Sequence, residues 1–387
     1  MRNKITASAI KNIFFLPFLL IGAMGVPYSH ALIQNTLVYQ HEEHSQQRNT
    51  GGFKSKKADC LLSDIERDFQ KTFRLARESA QRGDVKGQNK LGLCYCEGMG
   101  TSPNEQEAFM WFSLAAKQGY AVAQYNLASM LTDKKDYKEA FKWLELAAKQ
   151  GDKDAQCNLG AFYSQGLGVP QNYEKAVEWF TLSALQGDSM SQFNIGVMYA
   201  NGFGVKEDSN KAIKWISLAA EQGLPEAQFN LGIMYANGIG VEKDLTQAIK
   251  WSSLAAEQGL PEAQYNLGVM YANGIGVKED STQSIKWVSL AAEQGLPEAQ
   301  FNLGCKYFSG SGIQKNMKEV IKWFSLAANQ GHSDAQFNLG VMYKRGDGVE
   351  QNMQKARQWL KRAEDQGNEE AKKILEQMLL ESPTFNE

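Results

Sequence analysis

Apolar and small residues recur along most of the chain in two alternating blocks, both with the 3.6-residue period of a helix that buries one face. In residues 225–236 the apolar positions Ala227, Leu231 and Tyr235 are four apart, with Gly232 beside them. In residues 245–258, Ala248, Trp251, Ser252 and Ala255 fall at i, i+3, i+4 and i+7. The pattern predicts a helix pair, A then B. Gly259 ends helix B in the left-handed conformation that glycine adopts cheaply. Pro261 opens the next helix at its first position, where a missing N–H costs nothing. Asp152, Asp188 and Asn368 stand just before that position in other copies and are expected to cap it.

The pair repeats on a fixed ruler. A glutamine recurs at Gln88, Gln124, Gln156, Gln192, Gln228, Gln264, Gln300 and Gln336, every 36 residues except for one interval of 32. All eight tryptophans (Trp111, Trp143, Trp179, Trp215, Trp251, Trp287, Trp323 and Trp359) follow the same ruler. A fixed period of this length is the mark of a stacked array in which each unit completes its neighbour's core. Gly232, Ala248 and Ala255 let helices A and B approach closely, and Trp251 is expected to pack against neighbouring helices rather than to form a carbohydrate-stacking stripe. The glycines of "GIGV" (Gly238, Gly240, Gly274, Gly276) lack the residues of a phosphate loop and follow a helix C-terminus, where carbonyls repel anions. They are expected to turn the chain. The second unit lacks this loop, which accounts for the short interval.

Composition narrows the function. Lys plus Arg number 41 against 43 Asp plus Glu in 387 residues, so no basic field is available for nucleic acid. Residues 1–31 read as a secretory signal peptide: Arg2, Lys4 and Lys11 precede an apolar run from Ile13 to Val26, and Ser29-His30-Ala31 offers a cleavage site. An uncleaved N-terminal anchor is the alternative. After cleavage the protein is expected to be periplasmic or secreted, with no stable membrane span. Residues 32–58 are polar and read as a flexible leader. His41 and His44 lie three apart there, but nothing nearby completes a metal set. Five cysteines (Cys60, Cys94, Cys96, Cys157 and Cys305) are expected to be mostly buried, with at most one or two incidental bridges.

The string "AQFNLGIMYANGIGVEKDLTQAIKWSSLAAEQG" resembles the Sel-1-like repeat, a relative of the tetratricopeptide repeat with a longer loop between its helices. The resemblance covers about residues 84–367 in eight units. It implies an all-α fold, a right-handed α/α solenoid of helix pairs used as a protein-interaction scaffold. Secreted bacterial members of the family include envelope-maintenance and host-interaction proteins. Residues 59–83 align with helix B, with Leu75 in the tryptophan position, and read as an N-terminal cap. Residues 368–387 read as a C-terminal capping helix and tail, with Glu376 where the glycine would be.

Catalysis finds little support. The repeats hold one histidine, His332, at a position that reads as a helix start. No nucleophile elbow or spaced metal set is present, and no cofactor is implied. Cysteine-rich relatives act on β-lactams, but their paired cysteines are absent, and the only Ser-x-x-Lys, Ser8 to Lys11, lies in the signal. An envelope enzyme acting on β-lactams or peptidoglycan is therefore the minor alternative. If helix A packs as in the tetratricopeptide relatives, one row of its side chains faces the concave side. That row holds Tyr125, Cys157, Phe193, Phe229, Tyr265, Phe301 and Phe337, flanked by Val197, Ile233, Val269 and Val341. It is the candidate surface for a protein partner; the alternative is that tight curvature buries these rings between successive A helices. The asparagine after each ring is expected to bond backbone between units.

Overall fold

The computed structural model describes residues 55–380, with side chains from Ile65 onward. The expected signal peptide, the expected leader up to residue 54, the His41/His44 pair and Cys60 lie outside the residues or side chains described. Among the described residues there are 18 α-helices and no strand. The chain divides into two compact units, one ending at Trp215 and one beginning at Ile216.

The first unit holds α1 (Ser55–Gln81), α2 (Val85–Glu97), α3 (Glu105–Lys117), α4 (Ala121–Asp133), α5 (Tyr137–Lys149), α6 (Lys153–Gln165), α7 (Tyr173–Leu185) and α8 (Ser189–Asn201). Helix α9 (Ser209–Glu221) crosses the division. The second unit continues with α10 (Pro225–Asn237), α11 (Leu245–Glu257), α12 (Pro261–Asn273), α13 (Ser281–Glu293), α14 (Pro297–Ser309), α15 (Met317–Asn329), α16 (Ser333–Arg345), α17 (Met353–Glu364) and α18 (Glu369–Leu380). Within each unit every helix packs on the next in sequence, as short connections require. Even-numbered helices are the expected A helices and odd-numbered ones the B helices. Helix α1 begins four residues before residue 59, because nothing in Ser55-Lys56-Lys57-Ala58 breaks a helix.

The helix boundaries follow local chemistry. Asp152 accepts from the Ala155 N–H at 2.9 Å, Asp188 from Ser191 at 2.7 Å, and Asn368 from Ala371 at 2.9 Å, each satisfying an otherwise orphaned amide. Leu260 has no capping side chain, and Pro261 follows it at the first helical position. Gly259 takes a φ of 93° after α11. Gly276 does more than turn the chain: a methyl group there would collide with the Leu245 carbonyl, because the loop rests on the start of the preceding B helix.

Helices A and B meet at glycine. A methyl group on Gly232 would stand 2.6 Å from Ser252 Oγ and 3.1 Å from the Ala248 carbonyl oxygen, and one on Gly304 would stand 2.6 Å from the Phe324 ring. The side chain opposite each glycine is the one after the tryptophan: Phe112, Phe180, Val288, Phe324 and Leu360 are all buried there. The tryptophans themselves are half-buried, apart from the buried Trp323. A basic side chain lies over several of the indoles: Lys250 over Trp251 at 5.2 Å, Lys286 over Trp287 at 4.8 Å and Lys322 over Trp323 at 4.5 Å.

Glutamines join the helices between repeats. Gln264 on α12 donates to the Ala256 carbonyl in the last turn of α11, at 3.2 Å. Its own Oε1 accepts from Gln294, after α13, at 2.8 Å, and Gln294 also donates to the Gly259 carbonyl at 2.9 Å. The same set recurs around Gln156, Gln228 and Gln300. The Gly259 carbonyl, just past the helix, is thus bonded by the next repeat, and the Ala256 carbonyl, which already accepts from the Gly259 N–H, gains a second donor. The role expected of the asparagines belongs to these glutamines. Asn230 donates to the Glu226 carbonyl of its own helix, and Asn126 donates across repeats to the side chain of Asn89.

Candidate binding surface

The six rings of the row and the four aliphatic side chains that flank them differ in accessibility. Phe193 and Val197 are fully buried, and Phe229, Ile233, Val269 and Phe301 keep only 6–8 % of their surface. Tyr125, Tyr265, Phe337 and Val341 are half-buried and reach solvent. Phe229 and Ile233 share one buried cluster with Ala263 and Leu267 of the following A helix. The row therefore helps close the seam between A helices as well as lining their face.

At the half-buried tyrosines the following A helix supplies polar groups. Tyr125 on α4 has the Asp154 carboxylate and the Asn158 amide of α6 beside it. Burial, then Asp154, holds its phenol well above the usual tyrosine range, and the Asn158 hydrogen bond opposes them. Tyr265 on α12 repeats the arrangement with Glu298 and Asn302 of α14. Its phenol is pushed up to about 12, chiefly by burial and then by Glu298. A ring edge, a carboxylate and an amide on neighbouring helices can hold extended polypeptide, whose amide and basic groups match them.

His332 stands at the start of α16. Its ring stacks on Phe301 with centroids 4.5 Å apart, and its Nδ1 accepts from the Ala335 N–H at 3.3 Å. Burial depresses its pKa, against the smaller pull of Asp334 and Glu298. A cap that uses the neutral imidazole is a structural role. The described cysteines Cys94, Cys96, Cys157 and Cys305 are all free thiols. Cys94 and Cys157 are buried and Cys96 and Cys305 half-buried, and burial raises each pKa, away from the reactive thiolate. Among the described residues no group of three His, Cys, Asp or Glu side chains gathers to hold a metal, and no helix is long and apolar enough to cross a membrane.

The amphipathic pattern did not reveal a second row. Each of Leu114, Leu146 and Leu182 in the first unit, and of Leu218, Leu254, Leu290 and Leu326 in the second, lies three residues after a tryptophan and keeps 36–47 % of its surface. The same 36-residue ruler marks these positions, but an apolar residue on a helix is ordinarily assigned to the core.

Comparison with known proteins places the chain. Residues 60–84, 85–120, 121–152, 153–188, 189–224, 225–260, 261–296, 297–332 and 333–368 match the Sel1 repeat. The first match is the stretch read above as a cap; the other eight are complete helix pairs. Among curated proteins, Sel1-like repeat-containing protein L21 of Acanthamoeba polyphaga mimivirus is 39% identical over 70 residues, 18% of this chain and 13% of that protein. This chain therefore spans only a small part of that relative. Among solved structures, a protective antigen present in uropathogenic Escherichia coli strains is 35% identical, with a TM-score of 0.69 over 80% of this chain and 68% of that one. A Sel1 repeat protein from Oxalobacter formigenes is 36% identical, with a TM-score of 0.62 over 79% of this chain and 89% of that one. With nine matched repeats and an all-helical repeat fold shared with these structures, the chain belongs to the Sel1 repeat family.

Proposed function

We propose that this protein is a non-catalytic scaffold of the bacterial envelope or exterior that binds a protein partner along the face of its A helices, the concave side in the family's stacking. The observation that supports this most is the recurrence at Tyr125 and Tyr265 of a half-buried ring beside a carboxylate and an amide of the next repeat. Phe337 and Val341 extend the apolar part of that face. The basic and apolar residues of residues 1–31 support export. The likeness to a protective antigen of uropathogenic strains supports a role at the host-facing surface.

The test is partner capture from the native envelope by wild type and by a Tyr125→Ala/Tyr265→Ala/Phe337→Ala variant. The scaffold reading expects loss of one specific partner while far-ultraviolet circular dichroism stays helical. Capture that is unchanged by the variant would refute it. The rival, an enzyme acting on β-lactams or peptidoglycan, is tested by turnover of a chromogenic β-lactam, and sustained turnover would establish it.

A further inference from the structure

The leucine row of the second unit has charged flanks with a definite order. On α11, Lys250, Leu254 and Glu257 fall at i, i+4 and i+7, a single exposed stripe; on α13 the stripe is Lys286, Leu290 and Glu293. On α15, Lys322 and Leu326 continue it. Lys250 and Lys286 lie over their neighbouring indoles, and Glu257 and Glu293 have no ion-pair partner among the described residues.

We propose that this stripe is a homodimer surface, met face to face by the same stripe of a second copy. The order of the charges makes the surface self-complementary. Lysine lies about 6 Å along the helix on one side of each leucine and glutamate about 4.5 Å on the other. A two-fold axis parallel to the leucine row reverses the helix direction and leaves each helix opposite its own copy. It sets Leu254 on Leu254 and Leu290 on Leu290. It also brings Lys250 to Glu257 and Lys286 to Glu293 of the other copy, within about 1.5 Å along the axis.

The same operation fails in the first unit, where the α5 stripe is Lys142, Leu146 and Lys149 and would set lysine on lysine. Helix α9, which crosses the division, carries the same order at Lys214, Leu218 and Glu221; within the second unit the stripe runs over α11 and α13, with Lys322 and Leu326 on α15 and Asn329 in the glutamate position. Three helices of about 20 Å, each presenting a single stripe, offer an interface below the standard size, so a weak dimer is expected. This surface lies on the B helices and does not depend on the A-helix row.

Sedimentation velocity of the full chain, from submicromolar to tens of micromolar, tests it. Wild type should pass from monomer to dimer across that range. Leu254→Glu/Leu290→Glu should remain monomeric. The charge variants Lys250→Glu/Lys286→Glu and Glu257→Lys/Glu293→Lys should each self-associate at least tenfold more weakly. Mixed in equal amounts, the two charge variants should form a heterodimer, because each then faces only opposite charge. Circular dichroism of every variant confirms that these exposed substitutions leave the helices formed. A wild type that stays monomeric, a dimer indifferent to the charge changes, or a mixture that does not pair would overturn the proposal. The row would then be bare surface or the seat of a different protein.

Discussion

Gln258 donates its side-chain amide to Gln228 Oε1 at 2.8 Å and to the Gly223 carbonyl at 3.0 Å, joining the ends of α9 and α11 through a residue of α10. Gln228 in turn donates to the Ala220 carbonyl at 3.2 Å. Two glutamines per repeat thus tie successive helix ends together: Gln228 adds a second donor to the Ala220 carbonyl, which also accepts from the Gly223 N–H, and Gln258 holds the Gly223 carbonyl.

Replacing Gln264 removes two hydrogen bonds, the one to the Ala256 carbonyl, which keeps its backbone partner Gly259, and the one that Gln294 donates. Gln264→Leu should destabilise the second unit by about 1–3 kcal/mol, read from chemical denaturation. Amide exchange should rise first at the end of α11, around Ala256. A variant as stable as wild type would show that the glutamine ladder adds nothing.

The tryptophans should differ among themselves. Trp323 keeps 7 % of its surface, so Trp323→Ala should cost about 3–5 kcal/mol. Trp251 is half-buried under Lys250, and Trp251→Ala should cost roughly half as much. Equal losses in thermal or chemical unfolding would contradict the difference in burial.

The repeat without the glycine loop turns on Lys135, the one non-glycine residue with positive φ (62°) among the described residues. A side chain in that region is strained by about 1 kcal/mol. Lys135→Gly should therefore raise the unfolding free energy of the first unit by up to about 1 kcal/mol. A measurable loss of stability would show that the Lys135 side chain contributes more than its backbone costs.

His332 should make stability depend on pH. Its folded pKa lies below the ordinary 6.5, so the fold favours the neutral imidazole whose Nδ1 caps α16. The stabilisation is complete above about pH 6.5 and is lost as the pH falls from there through the folded pKa. His332→Asn keeps a capping oxygen, as Asn368 does before α18, and removes the titration. Between about pH 7 and about pH 5 wild type should lose more stability than His332→Asn. Parallel losses would rule the histidine out as the source.

The period, the helix boundaries and the caps were legible in the sequence because each rests on a local rule, such as Asp152 before a helix or Gly259 after one. The helix contact at Gly232 was legible for the same reason. What escaped depended on neighbours. The fully buried position after each tryptophan is Phe, Leu, Ile, Ser or Val, so a search for identical residues passes over it. The tryptophan attracts attention by its constancy, yet most of the indoles are only half covered. The asparagines and glutamines are equally regular, and only the distances show that Gln228, not Asn230, reaches the adjoining helix end. The exposed leucines share the ruler of the core residues. Their outward direction follows from how each B helix packs between the A helices before and after it, which no single unit encodes.

The scaffold reading is tested most directly by a photo-crosslinking residue placed at Tyr265 in the full chain in its native envelope, with the same probe at Lys243 in an exposed loop as the control. The expected result is one dominant adduct from position 265, absent from 243 and identified by mass spectrometry as another protein. No preferred adduct at 265, or the same adducts from both positions, would contradict binding along the A helices.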